Sequence, residues 1–188
     1  PQVPEVLAEI PTSILSSMIG KTIFAISAEE SRFTLNGALL QLRSKGMLMV
    51  STDGHRLAHV ESTTEIPGVT SPYRALLPKK AMAEIVKLVQ ESGSEAVVRF
   101  SGDENHLFFQ LGDRLLLGRK LTGTFPDFER VLPKEHRYTV TLQREEIRSA
   151  VERVSQFADE RSKAIRIQFG SSEVKVFSSI SEMGESEE

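Results

Sequence analysis

Thr52-Asp53-Gly54-His55-Arg56-Leu57 sets an Asp-Gly bend between two runs of alternating apolar residues, Met47 to Ser51 before it and His55 to Ser62 after it. Asp-Gly in that setting is a strong hairpin signal. Glycine reaches positive φ without a Cβ penalty, and aspartate closes turns with its own carboxylate. The pattern predicts two antiparallel strands, with a histidine and an arginine directly after the bend. A second stretch, Phe125-Pro126-Asp127-Phe128-Glu129-Arg130-Val131-Leu132-Pro133, reads as a proline-bounded loop ending in an arginine and aliphatics. Neither stretch has the composition of catalytic machinery, and both read as the wall of a shallow pocket.

Working outward, Arg32 to Leu40 predicts a further strand before the turn at Ser44-Lys45-Gly46, and Arg74 to Leu77 another after a loop from Ile66 to Tyr73. Upstream, Val6 to Ile10 predicts a short strand closed by Pro11. A helix then follows, with Thr12 or Ser13 as N-cap and Ile14, Leu15, Met18, Ile19, Thr22 and Ile23 on one face, ending near Ala25 to Ser27. Downstream, Pro78 opens a second helix with a stripe of Met82, Ile85, Val86 and Val89, stopped at Ser92-Gly93. Ala96 to Ser101, Leu107 to Leu111 and Arg114 to Lys120 continue as a meander. Hairpin-built antiparallel strands with interspersed helices make an α+β pattern.

After Pro133 the order begins again. Tyr138 to Leu142 predicts a strand, and a helix from Gln143 carries Ile147, Ala150, Val151, Val154 and Phe157 on one face. Phe24-Ala25 matches Phe157-Ala158, and the strands Arg32 to Leu40 and Met47 to Ser51 match Ala164 to Phe169 and Val174 to Ser178. An offset of roughly 130 residues is domain-sized, so the chain reads as duplicated domains. The second copy is cut short in the acidic tail Glu182 to Glu188.

The chain has 188 residues, 39% hydrophobic and 26% charged, which describes an ordinary globular protein. It has 0 cysteines, so no disulfide framework exists. No apolar run is long enough to span a membrane and no signal-peptide pattern opens the chain, so the default location is cytoplasmic. Because Pro1 and not methionine comes first, the chain is expected to be a fragment. The net charge of −3 argues against a nucleic-acid binder of the usual basic kind, though a local basic strip can sit on an acidic body.

Three motifs in order, Leu35-Asn36-Gly37, Ser51 to Ala58 (STDGHRLA) and Phe125 to Pro133 (FPDFERVLP), lie inside this duplicated arrangement. In that combination the chain resembles the bacterial DNA polymerase III beta subunit, the replication sliding clamp. The resemblance implies residues 1–133 as the middle clamp domain, with an N-terminal strand and a C-terminal linker loop. Residues 134–188 would be the truncated N-terminal part of the third domain. In the family, antiparallel sheets lie outside and two helices per domain line the inner face. Two subunits join head to tail as a homodimer ring around duplex DNA, which slides through without sequence preference. The family is non-enzymatic and has no cofactor. Replicative and repair polymerases, the clamp loader and other proteins dock through a short clamp-binding peptide.

By the same resemblance, Leu35, Thr52, Gly54, His55, Arg56, Leu57, Pro126, Arg130 and Val131 belong to the peptide groove. Leu35, Leu57, Pro126 and Val131 can offer an apolar recess, and His55, Arg56 and Arg130 can offer donors to carbonyls or an acidic side chain. Arg32, Phe33, Lys79 and Lys80 are implied to face DNA. Read by helical phase alone, Lys80, Glu84, Lys87 and Glu91 are mixed in sign, the signature of an ordinary solvated face. Lys21 with Ser17, and Arg144 with Arg148, take similar polar positions on the other helices. Asp53, His55 and His59 can be imagined as metal ligands, but alternate residues on a strand share a face only pairwise, and no further ligand recurs at a metal-like spacing. Nucleophile-elbow and phosphate-loop motifs are likewise missing from the sequence. The rival reading is a freestanding peptide-binding adaptor that keeps the groove without the ring.

Overall fold

The computed structural model describes residues 2–92, 96–180 and 184–187. It divides into two compact units, Pro1–Phe128 and Glu129–Glu188.

The first unit opens with strand β1 (Ala8–Pro11) and helix α1 (Thr12–Gly20). Strands β2 (Gly37–Arg43), β3 (Gly46–Thr52), β4 (Leu57–Ser62) and β5 (Tyr73–Pro78) follow, then helix α2 (Lys79–Glu91). Strands β6 (Val97–Gly102), β7 (His106–Leu111) and β8 (Arg114–Arg119) complete it. They form two antiparallel sheets of order β4-β3-β2-β5 and β1-β6-β7-β8. Alternation sends Ala38, Leu40 and Leu42 of β2 with Met47 and Met49 of β3 into one buried cluster. Leu15 and Ile19 of α1, Met82 and Ile85 of α2, and Phe100 and Phe109 of the second sheet share it. Phe100 sits between Tyr73 and Phe109, with ring centroids 5.4 and 5.2 Å away.

The opposite face of the first sheet is also covered. Register sets Leu76, Leu39, Val50 and His59 in one row across β5, β2, β3 and β4. Phe128 packs on this face, its ring 5.7 Å from that of His59. Period two puts Thr52 and Leu57, themselves paired, on the same face as Val50 and His59. The approach of the 121–128 segment is close: a Cβ on Gly123, at φ +105°, would lie 2.6 Å from Thr34 Cγ2.

Several elements depart from the sequence expectations. Pro11, not Thr12 or Ser13, is the N-cap residue of α1, because the Thr12 N–H and hydroxyl both donate to the Ala96 carbonyl and extend the sheet. The helix stops at Gly20, earlier than expected; the Thr22 hydroxyl donates to the Met18 carbonyl and closes the end, and Ile23–Ala25 continue as a 3-10 turn. Strand β2 starts at Gly37 and not at Arg32. Phe33–Leu35 instead form a 3-10 turn, with the Leu35 N–H donating to Arg32 and the Leu35 carbonyl accepting from Ser27.

In the second unit, helix α3 (Arg144–Ser155) packs on strand β10 (Val174–Ile180), which is flanked by β9 (Arg166–Phe169) and β11 (Gly184–Glu187) in the order β11-β10-β9. The meander β9-β10-β11 repeats that of β2-β3-β4. Part of the expected acidic tail is therefore a strand; 181–183 and 188 lie outside the described residues, as does Gly93 of the expected helix stop. Tyr138 to Leu142 is not a strand. Its counterpart β1 is held by β6, and no segment among the described residues of the second unit takes the place of β6. A lone apolar-alternating stretch has no ladder to join, and Tyr138, Val140 and Leu142 are exposed.

Replacing Phe100 by alanine removes a fully buried ring and is expected to cost about 3–5 kcal/mol of stability, measured by urea unfolding. Phe33→Ala, at a ring 70% exposed, should stay within about 0.5 kcal/mol. Equal costs would contradict this packing.

Candidate functional site

The bend between β3 and β4 is built by Asp53. Its Oδ1 accepts the N–H groups of His55 and Arg56, both at 3.0 Å, so the turn closes on a side chain. Thr52 adds a second closure. Its hydroxyl donates to the Arg56 carbonyl at 2.7 Å and accepts the Gly54 N–H at 3.1 Å. The hairpin is consequently wider than an Asp-Gly pair suggests, with residues Asp53 to Arg56 all outside the ladder and Leu57 the first paired residue. Gly54 stands at φ +90°, and a Cβ there would meet Arg32 Nη1 at 2.8 Å.

Arg32 and Arg56 grip this loop from two sides. Arg32 Nη1 donates to the Asp53 carbonyl at 3.2 Å while its Nε pairs with Glu29 at 2.7 Å. Arg56 Nε pairs with Asp53 Oδ2 at 3.1 Å, and its Nη2 donates to the Phe24 carbonyl at 2.8 Å. Its Cζ lies 5.4 Å from the centroid of the Phe24 ring. The Arg56 and His55 N–H groups, with the Arg56 guanidinium, hold the Asp53 carboxyl well below the usual carboxylate range, at about 2.

Of the residues assigned to the groove, the first unit brings Thr52, Gly54, His55, Arg56 and Leu57 together on one loop. Leu35 is buried in the turn that Arg32 opens. Pro126 is exposed between the buried anchors Phe125 and Phe128. Arg130 and Val131 belong to the second unit, where Val131 is 68% exposed. Phe24 and Glu29 were not singled out by sequence reasoning, and Asp53 was read as a turn residue and weighed as a metal ligand but not placed in the groove. Phe24 carried a signal only through its match to Phe157 in the repeat.

The residues assigned to DNA divide into two groups. Lys79 and Lys80 are exposed in the first turn of α2, a position where cations oppose the helix dipole. Arg32 instead braces the Asp53 loop and is already paired, and Phe33, next to it in the 3-10 turn, is exposed. Further along α2, Lys87 pairs with Glu84, and Glu91 with Arg114, so the mixed face is largely neutralised. Among the described residues no cluster of three or more His, Cys, Asp and Glu side chains could hold a metal ion, and no helix is long and apolar enough to cross a membrane. A depression of about 510 Å³ lies elsewhere, between residues 140–143, α3 and the turn at 170–174, and none of the assigned residues lines it.

Below its unfolded value, a carboxyl stabilises the loop fully once pH exceeds that unfolded value, about 4, and loses the contribution as pH falls through the folded one. A carbon-detected titration should therefore place the Asp53 midpoint near about 2, with the His55 and Arg56 amides losing protection only below about pH 3. A midpoint near 4 would contradict the hydrogen bonding described.

Residues 9–127 match the family described as DNA polymerase III beta subunit, central domain, and residues 129–188 the one described as DNA polymerase III beta subunit, C-terminal domain. The beta sliding clamp of Chlamydia muridarum is 31% identical over 172 residues, 91% of this chain and 46% of that protein. The beta sliding clamp of Pseudomonas aeruginosa is 30% identical over 179 residues, 95% of this chain and 48% of that protein. Among solved structures, the DNA polymerase sliding clamp from Pseudomonas aeruginosa superposes with a TM-score of 0.90 at 29% identity, covering 100% of this chain and 51% of the other. That from Bacillus subtilis gives 0.90 at 27% identity, covering 100% and 50%. The chain thus spans about half the length of the curated relatives it matches.

Proposed function

The chain belongs to the DNA polymerase III beta subunit family, and from that premise we propose that it is part of a non-catalytic sliding clamp. The unit up to Phe128 would supply the middle domain and the unit from Glu129 the beginning of the third, a boundary a few residues before the 133/134 expected from the sequence. The whole protein would encircle duplex DNA as a head-to-tail homodimer ring and tether polymerases and other proteins to it. A ring needs only weak contact with phosphates, because tight site-specific binding would stop it sliding. Lys79 and Lys80, exposed in the first turn of α2, suit that contact. Arg32 suits it less, since offering it to DNA would break its bonds to Glu29 and the Asp53 carbonyl.

Peptide docking is the function we assign to the loop face of the first sheet. One observation carries it: a solvent-facing loop is held by Asp53, Thr52, Arg32 and Arg56 beside the half-buried Leu57 and the anchored Phe125–Phe128 segment. Rigid donors beside an apolar recess lower the ordering cost of capturing an extended peptide. Leu35, Leu57 and Pro126 would receive an apolar side chain, while His55 and Arg56 would bond its backbone or a polar neighbour. The resemblance adds Arg130 and Val131.

A fluorescence-polarisation titration with a short glutamine- and leucine-containing clamp-binding peptide tests this. Leu57→Ala combined with Arg130→Ala is expected to weaken binding by about tenfold or more, in the range of interface hot spots, with the circular dichroism spectrum unchanged. Undiminished binding by that folded variant would place the docking site elsewhere. The intact family member should bind the same peptide more tightly than this chain, because the resemblance puts a second half of the groove in the remainder of the third domain. Equal affinities would show that this half contributes little.

A further inference from the structure

Phe24 is 56% exposed although the residues around it are committed to the interior. Ala25 is buried, Ile23 packs on the core, and the Thr22 carbonyl accepts the buried Ser51 hydroxyl at 2.5 Å. That bond fastens the 3-10 turn Ile23–Ala25 to the end of β3, the strand that leads into the docking loop. The Phe24 ring is therefore held in place by its backbone and is not needed to fill the core. Its visible partner is Arg56: the ring lies under the guanidinium at 5.4 Å, and the Phe24 carbonyl takes Nη2 at 2.8 Å.

With Asp53 on Nε, these contacts fix the guanidinium at three points and use two of its five N–H donors. An arginine on a loop otherwise samples many rotamers, and immobilising it only on binding would reduce affinity. We infer that Phe24 is a positioning residue of the docking surface: its ring and carbonyl form a shelf that holds the Arg56 guanidinium, so that the remaining donors meet a peptide without prior ordering. The inference rests on the docking reading of the loop.

The test pairs a direct view of Arg56 with peptide affinity in the same 188-residue chain. In wild type the Arg56 Nε–Hε signal in nitrogen-resolved NMR should be visible and displaced by the ring current of Phe24. Phe24→Leu should remove that ring-current displacement while the Asp53 bond on Nε remains, and Phe24→Tyr should preserve it. The glutamine- and leucine-containing peptide should bind Phe24→Leu about two- to fivefold more weakly, as expected for loss of an exposed cation–π contact. Phe24→Tyr should bind as wild type does. In an Arg56→Ala background, Phe24→Leu should cause no further loss. Thermal melting of each variant checks folding, and Phe24→Tyr keeps the comparison if Phe24→Leu unfolds.

An Arg56 signal unmoved by Phe24→Leu would overturn the inference. So would an equal loss of affinity with and without Arg56, which would mean that the peptide touches the ring itself. If wild type binds no peptide, the docking reading falls and takes this role with it. A displaced Arg56 signal would then show that the shelf exists without serving that site.

Discussion

The buried hydrogen bond from the Ser51 hydroxyl to the Thr22 carbonyl joins the end of β3 to the turn after α1. A buried hydroxyl or carbonyl left unpaired costs on the order of 1–3 kcal/mol, so this bond resists exchange for other geometries. The site depends on it. Phe24 follows Thr22 by two residues and Asp53 follows Ser51 by two, so fastening one pair sets the other side by side. Arg56 then bridges them, bonded to the Asp53 carboxylate and the Phe24 carbonyl. The second unit repeats the device: the buried Ser178 hydroxyl of β10 donates to the Val154 carbonyl of α3 at 2.8 Å.

Electrostatics at the loop serve position more than stability. Glu29 with Arg32 is an exposed pair and Asp53 with Arg56 a partly exposed one, a class that adds little to stability. Their effect is to fix where the guanidinium groups stand and to leave the patch close to neutral. If the patch docks a peptide as proposed, recognition would run through shape and a few oriented donors. The exposed lysines Lys79 and Lys80 stand at another place on the chain, at the start of α2.

Much of this was legible in the sequence. Period-two alternation located β3, β4 and the meander β6-β7-β8, because those strands each have one committed face. The duplication was readable from Phe24-Ala25 against Phe157-Ala158 and from paired strands at a common offset. What sequence reasoning missed depended on individual hydrogen bonds, some long-range and some local, that apolar periodicity does not carry. Thr12 looks like an N-cap until Ala96, far along the chain, takes its hydroxyl and N–H. Arg32 to Asn36 alternates like a strand, yet local turn bonds at Arg32 and Phe33 prevail before Gly37 pairs with Pro78. Tyr138 to Leu142 has strand character, but a strand needs a neighbour that period alone cannot supply. At the site, the hairpin residues were evident from their motif. Asp53 as turn builder is a local feature of the same motif, whereas Arg32 as brace and Phe24 as shelf emerge only when separate segments meet.

Amide chemical-shift mapping with a clamp-binding peptide addresses the docking account most directly. Nitrogen-labelled chain titrated with the peptide should show its largest shifts at Thr52 to Leu57, at Leu35 and at Phe125 to Phe128. The β1-β6-β7-β8 sheet should remain unmoved. Shifts centred on that sheet or on α2, with the loop unchanged, would contradict the assignment of the loop face as the docking surface.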